Sequence, residues 1–360
     1  MKILQVITGL GMGGAENVVV NLSDSLAQDG HQVKIAYLTG NAVVLPKNAD
    51  VEVVFIGLMS GRDFLRCYFK LRRLIVDFRP DVVHSHMVHA NIISRLLRLT
   101  IKIPRLITTA HSSYEGGRMR MIAYRVTDFL TDVSTNVSAS AVKSFVDKKA
   151  VPESRMVLVS NGIDVDKFKF SYKSRAKIRS EEKVDGCKVL LAVGRLDRPK
   201  DYPTLLRAIA RLKRKLENFK LLIVGDGPLL EDLEKLADTL NVKDKIKFLG
   251  LRSDVNEVMA ATDVFVLSSA WEGFGLVVAE AMACGRYVVA TDCGGVSEIV
   301  DEYGALVKPG DDVALSNAIE KACKVDEQDY AKNSCLARAH IVNRFSLHSN
   351  VEKYYEIYLG

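Results

Sequence analysis

Short runs of aliphatic and β-branched residues recur along the chain. Between them the apolar positions fall into the spacing of three and four that marks a helix face. The runs KILQVI, QVKIAYL, VEVVFI, DVVHSH, RLITTA, DVSTNVS and RMVLVS predict strands in the first half, and helical spacing at 15–28, 62–78 and 138–148 separates several of them. The pattern restarts near residue 188 with KVLLAVG, KLLIVG, KIKFLG, DVFVLS and YVVATD, interleaved with helical stretches at 201–214, 228–240 and 276–283. Strands that are apolar throughout and alternate with helices imply parallel sheets covered on both faces. The pattern therefore predicts an α/β chain of two doubly wound, Rossmann-like domains, 1–165 and 188–344. Residues 166–187, charged and poor in aliphatics, are the expected linker. The amphipathic, tyrosine-rich 345–360 is expected to form a helix that packs back on the first domain. Open parallel sheets bind ligands beyond the carboxyl ends of their strands, so two such domains predict a cleft between those ends.

Composition adds limits. At 360 residues, 48% hydrophobic and 26% charged, the chain reads as a globular protein with room for two cores. No apolar run approaches the roughly 20 residues of a membrane span. The first strand pattern begins at residue 2, so no cleavable leader is expected, and the location is expected to be cytoplasmic. Six scattered cysteines without a C-x-x-C pair predict buried free thiols. The net charge of +6 is concentrated: residues 62–125 carry 13 basic and 4 acidic side chains.

The first strand runs into Gly9-Leu10-Gly11-Met12-Gly13-Gly14, a literal G-x-G-x-x-G. Nicotinamide binding also needs an acid at the end of the second strand, and that strand ends IAYLTGN. What remains is a helix N-terminus with bare backbone N–H groups, an anion site suited to phosphate. In the second half, VGRLDRPKD sets Arg195 and Lys200 beside a helix start, two cations suited to a diphosphate. Further on, SSAWEGFGLVVAEAMACG places Glu272 before a glycine turn and Glu280 inside an apolar helix, where a carboxylate needs a partner.

These segments, with PDVVHSH, TAHS, VSNGIDVDKF, VGDGP and FLG, resemble the retaining glycosyltransferases of the GT-B fold, glycosyltransferase family 4, along essentially the whole chain. The resemblance implies transfer of a sugar from a nucleotide diphosphate sugar to an acceptor hydroxyl. It implies that Arg195 and Lys200 hold the diphosphate, that the backbone of Gly14 approaches the phosphates, and that Glu280 accepts the ribose hydroxyls. Glu272 would contact the sugar, with the backbone of Phe274, Gly275, Leu276 and Val277 reaching sugar and phosphate. His111 would face the anomeric carbon, and the backbone near Arg252 the base. No cofactor is expected; the favoured donor is a UDP-sugar, with GDP-mannose as the alternative. An epimerase or phosphorylase of the same fold is the nearest rival reading.

Two metal motifs are expected to be empty of metal. Asp164-Val165-Asp166 lies in the interdomain loop of the resemblance, and His84-x-His86-x-x-His89 begins in DVVHSH, which matches the strand of the resembled family whole. The basic, partly apolar stretch RDFLRCYFKLRRLIVDFR suits an anionic membrane face and a polyprenyl-diphosphate-linked glycan acceptor. Nucleic acid is not an expected partner, since no binding module accompanies the charge.

Overall fold

The computed structural model describes residues 1–113 and 115–360, and they form two units. The first comprises Met1–Gly162 with Leu347–Gly360, the second Ile163–Ser346.

The first unit is built on a parallel sheet of seven strands: β1 (Lys2–Gly9), β2 (Gln32–Thr39), β3 (Glu52–Phe55), β4 (Val82–His86), β5 (Arg105–Ala110), β6 (Val133–Asn136) and β7 (Met156–Leu158), in the order β3-β2-β1-β4-β5-β6-β7. The chain winds from β1 through β2 to β3, then returns past β1 to β4, so the winding reverses between β1 and β4. Alternate residues of β1 enter opposite cores. Ile3 and Ile7 pack with the helix Gly14–Gln28 and with Tyr354 and Tyr358 of the helix Leu347–Leu359; Leu4 and Val6 pack with Leu71 and Ile75 of the helix Phe64–Phe78. This is why β1 is apolar throughout rather than alternating. Gln5 is the exception, fully buried in the middle of this strand.

The second unit has six parallel strands: β8 (Lys188–Val193), β9 (Phe219–Val224), β10 (Ile246–Gly250), β11 (Val264–Leu267), β12 (Tyr287–Thr291) and β13 (Ala305–Val307), in the order β10-β9-β8-β11-β12-β13. Its reversal lies between β8 and β11. The edge strand β13 has only three residues and escapes sequence pattern for that reason. Residues 166–187 are more ordered than a linker: they hold the helix Tyr172–Glu182, whose Arg175 and Arg179 bond Asp263 at 2.6 and 3.2 Å. The bonded Asp263 carboxylate also accepts from the Val189 amide at 2.8 Å, which fixes this helix to the start of β8. All six cysteines are free; contrary to the expectation of burial, Cys335 is exposed on the surface of the helix Glu327–Phe345.

Candidate active site

In the second unit the site residues gather where the winding reverses. The loop after β8 carries Arg195 and Lys200, the loop after β11 carries Glu272, and these two strands are hydrogen-bonded neighbours. The loops are stitched together: Ala270 N donates to Pro199 O at 2.8 Å and Ser268 Oγ to Lys200 O at 2.8 Å. The stitching brings Lys200 Nζ to 2.6 Å from Glu272 Oε1, which also accepts from Ser269 Oγ at 2.7 Å. Asp201 ends the first loop by capping the helix Tyr202–Leu212, its carboxylate accepting from Thr204 N.

Two glycines hold the second loop. Gly275, at φ +100°, begins the helix Leu276–Ala283, and a Cβ there would meet Val296 Cγ2 at 3.0 Å. Gly294, at φ +59°, passes so close beneath that its Cβ would lie 2.1 Å from Glu272 O. Phe274 is buried edge-on against Phe345 at 5.6 Å. At Gly273, Phe274 and Gly275 it is thus backbone, not side chain, that is presented near the helix start, where orphan N–H groups and the helix dipole favour an anion.

The two acids differ. Glu272 is paired, 12% exposed against the 21% of Lys200. Glu280 sits one turn from the end of its helix among buried Val278, Ala279, Ala281 and Met282, and no hydrogen bond or ion pair reaches its carboxyl from the described residues. Burial pushes its pKa up to about 7, opposed by the charge of Lys167. A desolvated carboxyl without a partner is set to accept hydrogen bonds from a ligand.

Arg195 stands apart, 70% exposed, its nearest anion Asp197 at 3.8 Å. Its guanidinium is free to meet an incoming anion. Arg252 is committed: it bonds Asp254 and reaches Glu182 at 2.9 Å, and these anions hold its pKa above the usual arginine range. Its side chain is a brace, which leaves only its backbone for a ligand.

In the first unit Gly14 is the exposed first residue of the helix Gly14–Gln28, directly after the turn that follows β1. His111 follows β5. Its Nε2 lies 3.1 Å from His86 Nδ1, and its backbone N donates to Glu115 Oε1 at 3.0 Å. Burial pulls the imidazole pKa down to about 4, so it is neutral at physiological pH. Its Nδ1 is out of solvent without a partner among the described residues.

The metal motifs are used otherwise. All four ring nitrogens of His84 and His86 are hydrogen-bonded, while His89 lies exposed. Asp164 accepts from Lys167 N at 2.9 Å, a turn within its own loop.

Sequence reasoning missed Ser269, Lys167, Gln5 and Glu115. Ser269 and Glu115 were within reach, three residues before Glu272 and four after His111. Gln5 and Lys167 meet their partners only through the fold.

Taken together, the second unit offers an exposed cation, a cation–carboxylate pair, and on the adjoining helix a carboxyl unpaired among the described residues. Cations suit phosphate oxygens, and carboxylates suit hydroxyls. The set matches a ligand that is at once a polyol and a diphosphate.

Known proteins align with both units. The family model described as Glycosyltransferase Family 4 matches residues 12–167, and that described as Glycosyl transferases group 1 matches residues 173–334. An N-acetylgalactosamine-N,N'-diacetylbacillosaminyl-diphospho-undecaprenol 4-alpha-N-acetylgalactosaminyltransferase of Campylobacter jejuni is 26% identical over 97% of this chain and 97% of its own. A UDP-Gal:alpha-D-GlcNAc-diphosphoundecaprenol alpha-1,3-galactosyltransferase of Escherichia coli is 26% identical over 82% of this chain and 79% of its own. Among solved structures, Anabaena HepE in complex with UDP and glucose superposes with a TM-score of 0.89 at 22% identity, covering 99% of this chain and 98% of that one.

Proposed function

The chain belongs to the family 4 glycosyltransferases of the GT-B fold and is a hexosyltransferase, and from that premise we propose that it moves a hexose or N-acetylhexosamine from a UDP-sugar, with retention, to a hydroxyl of a lipid-linked glycan in bacterial surface polysaccharide assembly. The observation that carries the donor class is the Lys200–Glu272 pair at the β8/β11 reversal, with the unpaired Glu280 carboxyl on the helix that follows. In this reading Lys200 and Arg195 hold the diphosphate and Glu280 accepts the ribose hydroxyls. Glu272 and His111 address the sugar, backbone N–H groups of Gly14 and 274–277 approach phosphate and sugar, and the backbone at Arg252 meets the base. The bond from the anomeric carbon to the phosphate oxygen breaks while the acceptor oxygen attacks from the same face. The departing phosphate oxygen takes the acceptor proton, so no enzyme nucleophile is required. Lys200 and Arg195 neutralise the charge that grows on the diphosphate, the largest contribution expected.

A panel of nucleotide sugars tests this: one UDP-sugar is expected to be hydrolysed slowly without acceptor and transferred to a membrane extract. Hydrolysis of GDP-mannose alone would change the donor. Epimerisation without transfer, or an inverted linkage, would overturn the reading.

Because two side-chain cations serve the diphosphate, no divalent ion is needed, and transfer is expected to persist in excess chelator. Loss of activity restored only by Mn²⁺ or Mg²⁺ would refute this.

No helix among the described residues is long and apolar enough to cross a membrane. A peripheral contact with anionic lipid fits one face of the first unit. On the helix Phe64–Phe78, Leu71 and Ile75 turn inward, while Leu65 and Phe69 lie exposed beside Arg62, Arg66, Lys70 and Arg73. The helix Arg118–Thr127 and the turn after it expose Met119, Ile122, Val126 and Phe129, an apolar ridge at helical spacing beside Arg118 and Arg125. Both helices pack on the one between them, Val88–Leu97. Each basic side chain near an anionic surface contributes about 1 kcal/mol, so Arg66→Glu, Lys70→Glu and Arg73→Glu together should weaken vesicle binding roughly 100-fold or more. Co-sedimentation with anionic vesicles at low salt measures it, and donor hydrolysis should be unchanged. Vesicle binding indifferent to the triple change would return this face to ordinary solvent.

A further inference from the structure

We propose that Gln5 and His86 are positioning residues that hold His111 in one tautomer, protonated on Nε2 and bare on Nδ1. The ring then has only a hydrogen-bond acceptor for a substrate group that comes within reach of Nδ1. This rests on the reading that His111 addresses the sugar and names what it recognises there: a hydroxyl, since a bare imidazole nitrogen repels a phosphate oxygen.

The argument runs along a chain of buried contacts within the first unit. β1, β4 and β5 are adjacent, and their register sets Gln5 opposite His84 and His86 opposite Thr109. Gln5, His84 and His86 are fully excluded from solvent. Burial pulls both histidines well below the usual range, so each ring carries a single N–H. His86 Nε2 lies 2.8 Å from Gln5 Oε1. A carbonyl oxygen only accepts, so that nitrogen holds the proton of His86 and its Nδ1 is bare. Nδ1 lies 3.1 Å from His111 Nε2, which must therefore donate. His111 is neutral and has no second proton, and its Nδ1 is buried without a partner among the described residues.

The far side of Gln5 agrees with this orientation of the amide. Its Nε2 donates to Tyr358 Oη at 3.3 Å, and the phenol in turn donates to His84 Nδ1 at 2.7 Å. The proton of His84 then lies on Nε2, 2.6 Å from Thr109 Oγ1, which meets Thr135 Oγ1 at 2.6 Å. Every bond in this chain runs from donor to acceptor in the same sense, away from His111 Nδ1. Turning the Gln5 amide over would reverse each bond and leave His111 with a buried N–H that has no acceptor among the described residues, the rarer kind of orphan. A glutamine inside the central strand of a sheet costs stability unless it is bonded, and here both ends of its amide are used.

The test is nitrogen NMR on the full chain labelled with ¹⁵N-histidine, with His111→Gln used to assign the His111 signals. In the unliganded protein His111 Nε2 should resonate as a pyrrole-type nitrogen and Nδ1 as a pyridine-type one; the opposite assignment overturns the proposal without need of any further variant. Adding the nucleotide sugar hydrolysed in the donor screen should shift Nδ1, while its nucleoside diphosphate alone should not. If the tautomer is as stated and neither ligand moves Nδ1, positioning by Gln5 and His86 stands and the sugar assignment of His111 falls. Gln5→Met removes the acceptor at similar length. It should mix the His111 tautomers and lower kcat about tenfold, with KM for the donor within twofold. Gln5→Glu keeps an oxygen facing His86 and should restore both the pure tautomer and most of kcat. A Gln5→Met protein that is folded, less stable and unchanged in tautomer and kcat would show packing alone and overturn the proposal.

Discussion

Replacing Glu280 with glutamine should give a protein that is more stable at pH 8 and much poorer at binding its nucleotide. The two effects have one cause. Burial raises the Glu280 pKa to about 7, well above that of an unfolded chain. The sign follows from linkage: a carboxyl raised on folding favours the protonated form, so folding loses stability as pH climbs from the unfolded pKa through the folded one. Above pH 7 the native state holds a desolvated charge. Glutamine removes that charge, a gain on the order of 1–2 kcal/mol after allowance for partial solvent contact. Thermal denaturation at pH 5 and pH 8 checks it: Glu280→Gln should exceed the parent at pH 8 and differ little at pH 5. Ribose hydroxyls, in contrast, favour the charged form. Affinity for the intact nucleotide sugar, which has no titrating phosphate in this range, should therefore rise with pH through about 7. It should be up to roughly tenfold weaker one unit below. Calorimetry should also detect a proton released on binding at pH 6. A pH-independent affinity, or Glu280→Gln binding as the parent does, would place the nucleotide elsewhere.

Lys200→Ala should carry the largest cost in turnover. In the proposed role it takes a cation from the diphosphate, and it leaves Glu272 as a largely buried charge whose remaining hydrogen bond comes from Ser269. Preorganised charge stabilisation in a dry site amounts to about 3–4 kcal/mol, so kcat should fall on the order of 10²–10³. The unpaired acid should also lower stability. Lys200→Ala combined with Glu272→Gln separates the two effects: stability should recover toward that of the parent, because the orphaned charge is gone, while turnover stays low. Donor hydrolysis and thermal denaturation of both variants measure this. A single variant that turns over normally would remove Lys200 from the chemistry.

Much of this was legible in the chain itself. Parallel strands buried on both faces leave dense apolar runs, so β1, β8 and β11 stand out. The helix Leu276–Ala283 is bounded on one side by Gly275 and on the other by Gly285, and its extent reads directly. Glu280 is conspicuous because a carboxylate amid VVAEAMA breaks the apolar surroundings. What was not legible depends on contacts far apart in sequence. Lys200 and Glu272 read as two separate ligand groups, yet they face each other because β8 and β11 are neighbours across the reversal. Arg252 enters the sequence reading only through its backbone; that its side chain is a brace depends on Glu182, seventy residues earlier, which it reaches. The stretch 166–187 reads as a linker because its helix buries little beyond Ile178 and is fixed through arginines, which leave no hydrophobic pattern. On the basic helix 64–78, charge was visible, but which apolar residues face outward was not, and the ridge from Met119 to Phe129 went unnoticed.

The helix Leu347–Leu359 completes the first unit with residues synthesised only after the whole of the second. Tyr354 and Tyr358 close the core over β1 and β4, and Tyr358 supplies the hydroxyl between Gln5 and His84. On the ribosome, then, the first domain waits with one face uncovered while all of 163–346 is made. At about 5–20 residues per second that interval is on the order of 10–40 s. The second unit, continuous in sequence, has no such wait and can finish folding first. A nascent chain of this protein thus has an inverted order of maturation, with the domain begun first completed last. Until then the apolar strip over Ile3 and Ile7 stays uncovered, and a premature stop before residue 347 injures the domain begun first.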